Sequence, residues 1–119
     1  MDLQGKVALV TGGAHRVGKA IALALADAGA NLVIHYGGSE AEAHETVREI
    51  KSRGVQAIAV QADLSDPAAI AALFEAITER FARLDVLVNS AANFVKQPFD
   101  EATPEDWMTV MQVNLRAPF

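Results

Sequence analysis

The run from Lys6 to Ile21, Lys-Val-Ala-Leu-Val-Thr-Gly-Gly-Ala-His-Arg-Val-Gly-Lys-Ala-Ile, constrains this chain more than any other segment. Positions 7–10 are an unbroken aliphatic stretch, which suits a strand buried on both faces. Beyond Gly18, the residues Ile21, Ala24, Leu25 and Ala28 recur at helical spacing. Between strand and helix, Gly12, Gly13 and Gly18 let the backbone turn sharply and approach a ligand closely. The first amides of such a helix have no partner within it, and they lie at the positive end of its dipole, so the junction is suited to an anion.

Three further strand-helix alternations follow. The spacing predicts strands over 31–35, 55–60 and 85–88. The second helix opens at Ser39 and Glu42, three apart as in a capping box, and places Ala43, Val47 and Ile50 on one face before Gly54 ends it. In Ser65-Asp66-Pro67, Asp66 is placed to cap a third helix and Pro67 to occupy its first turn, with Ile70, Leu73, Phe74, Ile77 and Phe81 along its packing stripe. Thr103-Pro104 starts a fourth, which sets Trp107, Met111 and Asn114 near one another, the first two as packing residues. Alternation of this kind specifies an α/β fold, a doubly wound parallel sheet. Right-handed crossovers favour the strand order 3-2-1-4, with a ligand crevice at the carboxyl ends of the strands.

The 119 residues are one domain's worth of chain, and the formal net charge of -5 disfavours nucleic acid and anionic membrane as partners. Any phosphate must therefore be bound locally. There is no cysteine, hence no disulfide and no thiolate metal site. His15, His35 and His44 are too scattered for a metal set. No stretch reads as a signal peptide or approaches the roughly 20 apolar residues of a membrane span, so a cytoplasmic location is expected.

Two phosphate loops compete for the first junction. Gly13-Ala-His-Arg-Val-Gly18-Lys19 fits G-x-x-x-x-G-K, but the hydroxyl residue that holds magnesium in a P-loop is replaced by Ala20. No later strand ends in an aspartate suited to a second metal contact, because the fourth runs into Asn89. The strict G-x-G-x-x-G fingerprint is also absent. What remains is Thr11-Gly12-x-x-x-Arg16-x-Gly18. Together with Ala62-Asp63-Leu64, Asn89-Ser90-Ala91-Ala92 and Val113-Asn114-Leu115, in that order and spacing, it resembles the short-chain dehydrogenase/reductase family over essentially the whole chain. Arg16 stands at that pattern's middle glycine. With His35-Tyr36-Gly37-Gly38-Ser39 after the second strand, it is most similar to the pteridine-reductase-like branch.

The resemblance implies a Rossmann-type fold and a nicotinamide dinucleotide over Gly12, Val17 and Gly18. An NAD-preferring site places a carboxylate after the second strand, whereas here none occurs before Glu40, and Arg16, Ser39 and His35 can donate to a 2'-phosphate. NADP(H) is the expected cofactor, with Tyr36 in the same specificity segment. Arg16 has a plainer reading as a solvated charge. By resemblance Asp63 abuts the adenine and Leu64 covers it, or Asp63 simply shapes a turn. Asn89, Ser90 and Ala91 would lie along the cofactor, although Ser90 and Ala92 replace an asparagine and a glycine of the family segment. Phe94 matches the phenylalanine that stacks a substrate ring in that branch, and is otherwise a core plug. Asn114 matches the asparagine that holds a proton-relay water and kinks its helix.

Hydride transfer to a carbonyl or pterin-like imine also needs an acid to protonate the product. The family's serine and its Y-x-x-x-K pair have no counterparts here, since the sole tyrosine, Tyr36, is followed four residues later by Glu40. The chain therefore reads as residues 1–119 of a longer reductase: the N-terminal, cofactor-binding part of a single domain, inactive alone and acting on a small molecule. The resemblance implies a homo-tetramer for the full-length protein. The competing reading is a non-catalytic dinucleotide-binding or sensing module.

Overall fold

The computed structural model describes residues 2–93 and 96–119. Its elements run β1 (Val7–Thr11), α1 (Arg16–Asp27), β2 (Asn31–Tyr36), α2 (Glu40–Lys51), β3 (Ala57–Gln61), α3 (Pro67–Phe81), β4 (Val86–Asn89) and α4 (Pro104–Met111). A 3-10 turn at Phe99–Glu101 precedes α4, and a π-helical turn at Gln112–Arg116 follows it. The four strands form one parallel sheet in the order β3-β2-β1-β4. This is the Rossmann-type arrangement expected from the alternation.

Strand β1 is buried along its whole length, and its side chains divide by the period of two. Ala8 and Val10 join Leu32, Ile34 and Tyr36 in a core beneath α1 and α2, while Val7, Leu9 and Val33 join Leu73 and Ile77 of α3 on the other face. Helix α2 buries the expected Ala43, Val47 and Ile50, with Thr46 beside them. Helix α1 differs from expectation: its buried face is Gly18, Ala22 and Ala26, whereas of the residues placed there from spacing Ile21 and Leu25 are only partly covered and Ala24 and Ala28 are exposed. Small side chains let α1 lie close to the loop that starts it.

Several boundaries shift for local reasons. The register of β2 with β3 continues through Tyr36 and Gln61, so both strands extend one residue past the reading from sequence. At the start of β4, the Asp85 carboxylate accepts from the Val7 amide at 2.9 Å and is gripped by Arg83 at 2.7 and 2.8 Å, closing the β1-β4 pair. Ser39 occupies the N-cap of α2 but its side chain makes no capping bond, so the capping box read at Ser39 and Glu42 is absent. The box occurs instead at Thr103 and Asp106, at the start of α4. Helix α4 buries none of its residues, and Trp107, expected to pack, is 60% exposed. On α3 only Leu73 and Ile77 are buried, and Phe74 stays exposed. Among the described residues, no helix is long and apolar enough to cross a membrane.

Candidate functional site: a glycine-lined crevice at the carboxyl ends of the strands

A cavity of about 880 Å³ opens at the carboxyl ends of β1, β2 and β4. This is the size range of cofactor pockets, roughly 300–1,000 Å³. The glycine loop forms its floor. Gly12 has a φ of 62°, and a Cβ there would lie 2.9 Å from the Ala91 Cα, so only glycine suits both the conformation and the close approach of the loop after β4. A Cβ on Gly18 would lie 2.3 Å from the Gly12 carbonyl oxygen, which fixes the spacing between loop and helix.

The N-terminal end of α1 faces this floor without a partner of its own. Its N-cap, His15, makes no side-chain cap, and the first turn carries no acidic residue. Arg16 is exposed, lines the cavity, and takes part in no ion pair among the described residues. Its φ of 55° is left-handed, a conformation that costs a non-glycine residue about 1–3 kcal/mol and explains why the family pattern has glycine here. By contrast, the neighbouring cation Lys19 is paired with Glu49 of α2 at 2.8 Å.

Three buried side chains hold the loop, and none was singled out as a support from sequence. The Thr46 hydroxyl of α2 donates to the Ala14 carbonyl at 2.6 Å. Thr11 Oγ1 accepts from the Ser90 and Ala91 amides, each at 3.1 Å, which ties the end of β1 to the loop after β4. His35 Nδ1 accepts from the Gly12 amide at 3.0 Å, which leaves the ring proton on Nε2 to donate to the Ala62 carbonyl at 2.9 Å. Both ring nitrogens are thus engaged and the ring is neutral. The expectation that His35 donates to a phosphate is not met, although the residue lines the cavity.

Burial lowers the His35 pKa below 6.5, with the Ala62 bond opposing the shift. As pH falls through 6.5 the unfolded chain takes up a proton that the folded chain still refuses, so stability declines on acidification until the lower folded value is passed. The thermal midpoint should fall more steeply between about pH 7.5 and 5.5 in the parent than in His35→Asn. Equal slopes would assign the decline to other groups.

The remaining residues divide cleanly. Val17, Asp63, Leu64, Ser90 and Ala91 line the cavity together with Gly12, Arg16 and Gly18. Asp63 Oδ1 accepts from the Ser65 amide at 2.9 Å and its hydroxyl at 2.6 Å; the hydroxyl bond first and the amide bond second hold the carboxyl below the usual range. Asp63 therefore does shape a turn, and it does so at the cavity wall. Tyr36 is not part of that wall. Strand alternation turns it toward α1 and α2, where it is 8% exposed and meets the His44 ring edge-on at 6.2 Å. Neither Ser39 nor Asn89 lines the main cavity; Asn89 borders a second one of about 230 Å³ with Leu9, Leu87 and Phe119. Asn114 lies within the π-helical turn, accepts from the Asn93 amide at 2.8 Å and donates to the Asn93 carbonyl at 2.6 Å, clamping the loop after β4. Such turns often mark functional sites. Phe94 lies outside the described residues.

The parallel sheet and its anion-ready crevice define a dinucleotide-binding α/β domain. The model of the short chain dehydrogenase family matches residues 6–119, and the chain belongs to that family. It is 43% identical over 118 residues to a hydroxynaphthalene reductase-like protein, Arp2, of Metarhizium anisopliae, an alignment covering 99% of this chain and 44% of the relative. The chain thus spans less than half the length of that relative. Among solved structures, a blue fluorescent protein from a metagenomic library in complex with NADPH superposes with a TM-score of 0.93 at 40% identity, covering 100% of this chain and 49% of that one. A short chain dehydrogenase from Burkholderia cenocepacia in complex with NADP gives 0.93 at 43% identity, covering 98% and 48%.

Proposed function

We propose that residues 1–119 are the N-terminal, cofactor-binding part of an NADP(H)-dependent reductase whose substrate is a small molecule bearing a carbonyl or a pterin-like imine. The observation that carries this reading is the uncapped, acid-free start of α1 at the floor of the crevice, with Arg16 beside it in no ion pair among the described residues. The two NADP(H)-bound structural relatives support the choice of cofactor. When bound, that cofactor supplies the hydride.

This chain's residues hold it. Gly12 and Gly18 admit the pyrophosphate to the α1 amides, and Val17 covers it. Arg16 neutralises the 2'-phosphate, with Ser39 within the same specificity segment. Asp63 accepts from the adenine, Leu64 covers the ring, and Ser90 and Ala91 lie along the ribose beyond it. Asn114 orders the loop after β4 and holds a proton-relay water, and Phe94 stacks on a planar substrate. The hydroxynaphthalene reductase-like relative favours a fused aromatic carbonyl over a pterin, and so argues against the pteridine-reductase-like branch. A homo-tetrameric, cytoplasmic full-length protein completes the proposal.

Titration of the full-length protein with NADPH and NADH tests it. Arg16→Ala should weaken NADPH by about 10- to 100-fold, the worth of a charge-assisted hydrogen bond, and NADH by less than about twofold. Equal losses for the two cofactors would return Arg16 to a solvated charge.

A further inference from the structure

The crevice has two walls that no strand pairing joins at their tips: the glycine loop after β1 and the segment from Ala62 after β3. Strand β2 lies between them in the sheet. Its last turn inward is His35, 3% exposed, whose ring reaches the Gly12 amide on one side and the Ala62 carbonyl on the other. Backbone bonds reinforce both junctions. The Gly13 amide donates to the His35 carbonyl at 3.1 Å, and the Ala62 amide donates to the Tyr36 carbonyl at 3.1 Å.

We infer that His35 is a positioning residue, a rigid strut that makes the glycine loop and the Ala62–Leu64 segment move as one wall of the cofactor crevice. A neutral imidazole is suited to this because it presents an acceptor and a donor on separate atoms of one flat ring, with no internal rotation between them. If either ring bond is lost, that wall is left on its backbone bond to β2 alone, and the spacing between the pyrophosphate and adenine positions loosens. The strut acts through Gly12 and Ala62 and touches no reacting atom. This inference rests on the NADP(H) reading above.

The two arms can be cut separately. In His35→Asn an amide oxygen stands near the Nδ1 position and keeps an acceptor for Gly12, while the reach to Ala62 is lost. In His35→Gln an amide nitrogen stands near the Nε2 position and keeps a donor for Ala62, while Gly12 loses its acceptor. His35→Leu cuts both. The readout is the NADPH dissociation constant of the full-length protein, measured at a temperature where circular dichroism shows each variant folded.

A strut requires both ends, so the Asn and Gln variants should each bind about tenfold more weakly than the parent, as expected for one lost hydrogen bond of about 1.4 kcal/mol. The Leu variant should be within about twofold of either. Losses that multiply in the Leu variant would show two independent contacts and overturn the proposal. So would NADPH affinity unchanged beside a lowered thermal midpoint, which is the signature of a residue that only stabilises the core. Should the Leu variant fail to fold, either single-arm variant binding like the parent is enough to refute it. A parent that binds no NADPH would instead sink the cofactor reading itself.

Discussion

Gly18→Ala should reduce NADPH affinity by more than about 100-fold while leaving the sheet folded. The added Cβ would stand 2.3 Å from the Gly12 carbonyl oxygen, 3.0 Å from the Gly12 carbonyl carbon and 3.0 Å from the Gly13 Cα. All three are backbone atoms, so no side chain can rotate out of the way. The glycine loop must lift from α1, or α1 must slide off the sheet. The loop is itself pinned by Thr46 on Ala14 and by His35 on Gly12, and α1 is pinned by its small-residue face on the core. Either movement displaces the free amides from the floor of the crevice, and losing two hydrogen bonds to a charged phosphate, at about 1.5–3 kcal/mol each, costs more than about a hundredfold in affinity.

The control is Ala24→Ser, which adds one heavy atom on the exposed side of the same helix, away from the crevice. NADPH binding should change by less than about twofold, since the substitution touches nothing that holds the cofactor. Far-UV circular dichroism and NADPH fluorescence titration on the two variants separate a local steric effect from a general loss of fold. An alanine at 18 that binds within threefold of the parent would mean that the pyrophosphate does not sit over α1.

The fold was legible because its signals are periodic. An aliphatic run such as 7–10 has few homes other than a strand covered on both faces, and β1 is buried throughout. The stripe Ala43, Val47, Ile50 placed α2 correctly, and parallel strands joined by helices leave few orders open besides the observed 3-2-1-4. Errors arose where a single contact outweighed a pattern. Ser39 and Glu42 have capping-box spacing, yet the Ser39 backbone, with a ψ of 59°, is not in the extended conformation usual for such a cap. Trp107 and Phe74 look like core residues, but the described residues cover them only in part, leaving them 60% and 39% exposed.

The site was half legible for the same reason. Gly12, Arg16, Gly18, Asp63 and Ala91 sit at element ends, where turn chemistry marks them, and all line one cavity. Tyr36 was misplaced because the second strand was read as ending at His35, one residue short, and His35 was read only as a phosphate donor. Period-two alternation sends Tyr36 into the helix-covered core and leaves His35 on the opposite side, with both nitrogens engaged. A polar residue inside the otherwise apolar run 32–36 was the available clue that its hydrogen bonds had to be met internally. Thr46 offered no comparable sign, since its partner Ala14 is 32 residues away.

Thr11→Val should cost the full-length protein about 1–3 kcal/mol of stability, the penalty of leaving two part-buried amides without their acceptor. Valine keeps the shape and the strand preference of threonine, so the substitution removes a hydroxyl and little else. That hydroxyl receives the Ser90 and Ala91 amides at 3.1 Å and sits beside the Val88 carbonyl at 3.4 Å, on a residue only 7% exposed. The β1-β4 register ends at the Thr11-Asn89 pair, so past that point Oγ1 replaces the missing ladder and aims the chain along the crevice wall. A loss of this size is a large part of a typical domain's 5–15 kcal/mol. Thr11→Ser keeps the oxygen and should lose less than about 1 kcal/mol, the worth of one methyl group. Urea denaturation of the three proteins reads both values, and NADPH titration of Thr11→Val reads the displaced Ser90 and Ala91 as weaker binding. A valine variant as stable as the serine variant would show that water satisfies those amides, and that the wall after β4 is held by the Asn93-Asn114 clamp instead.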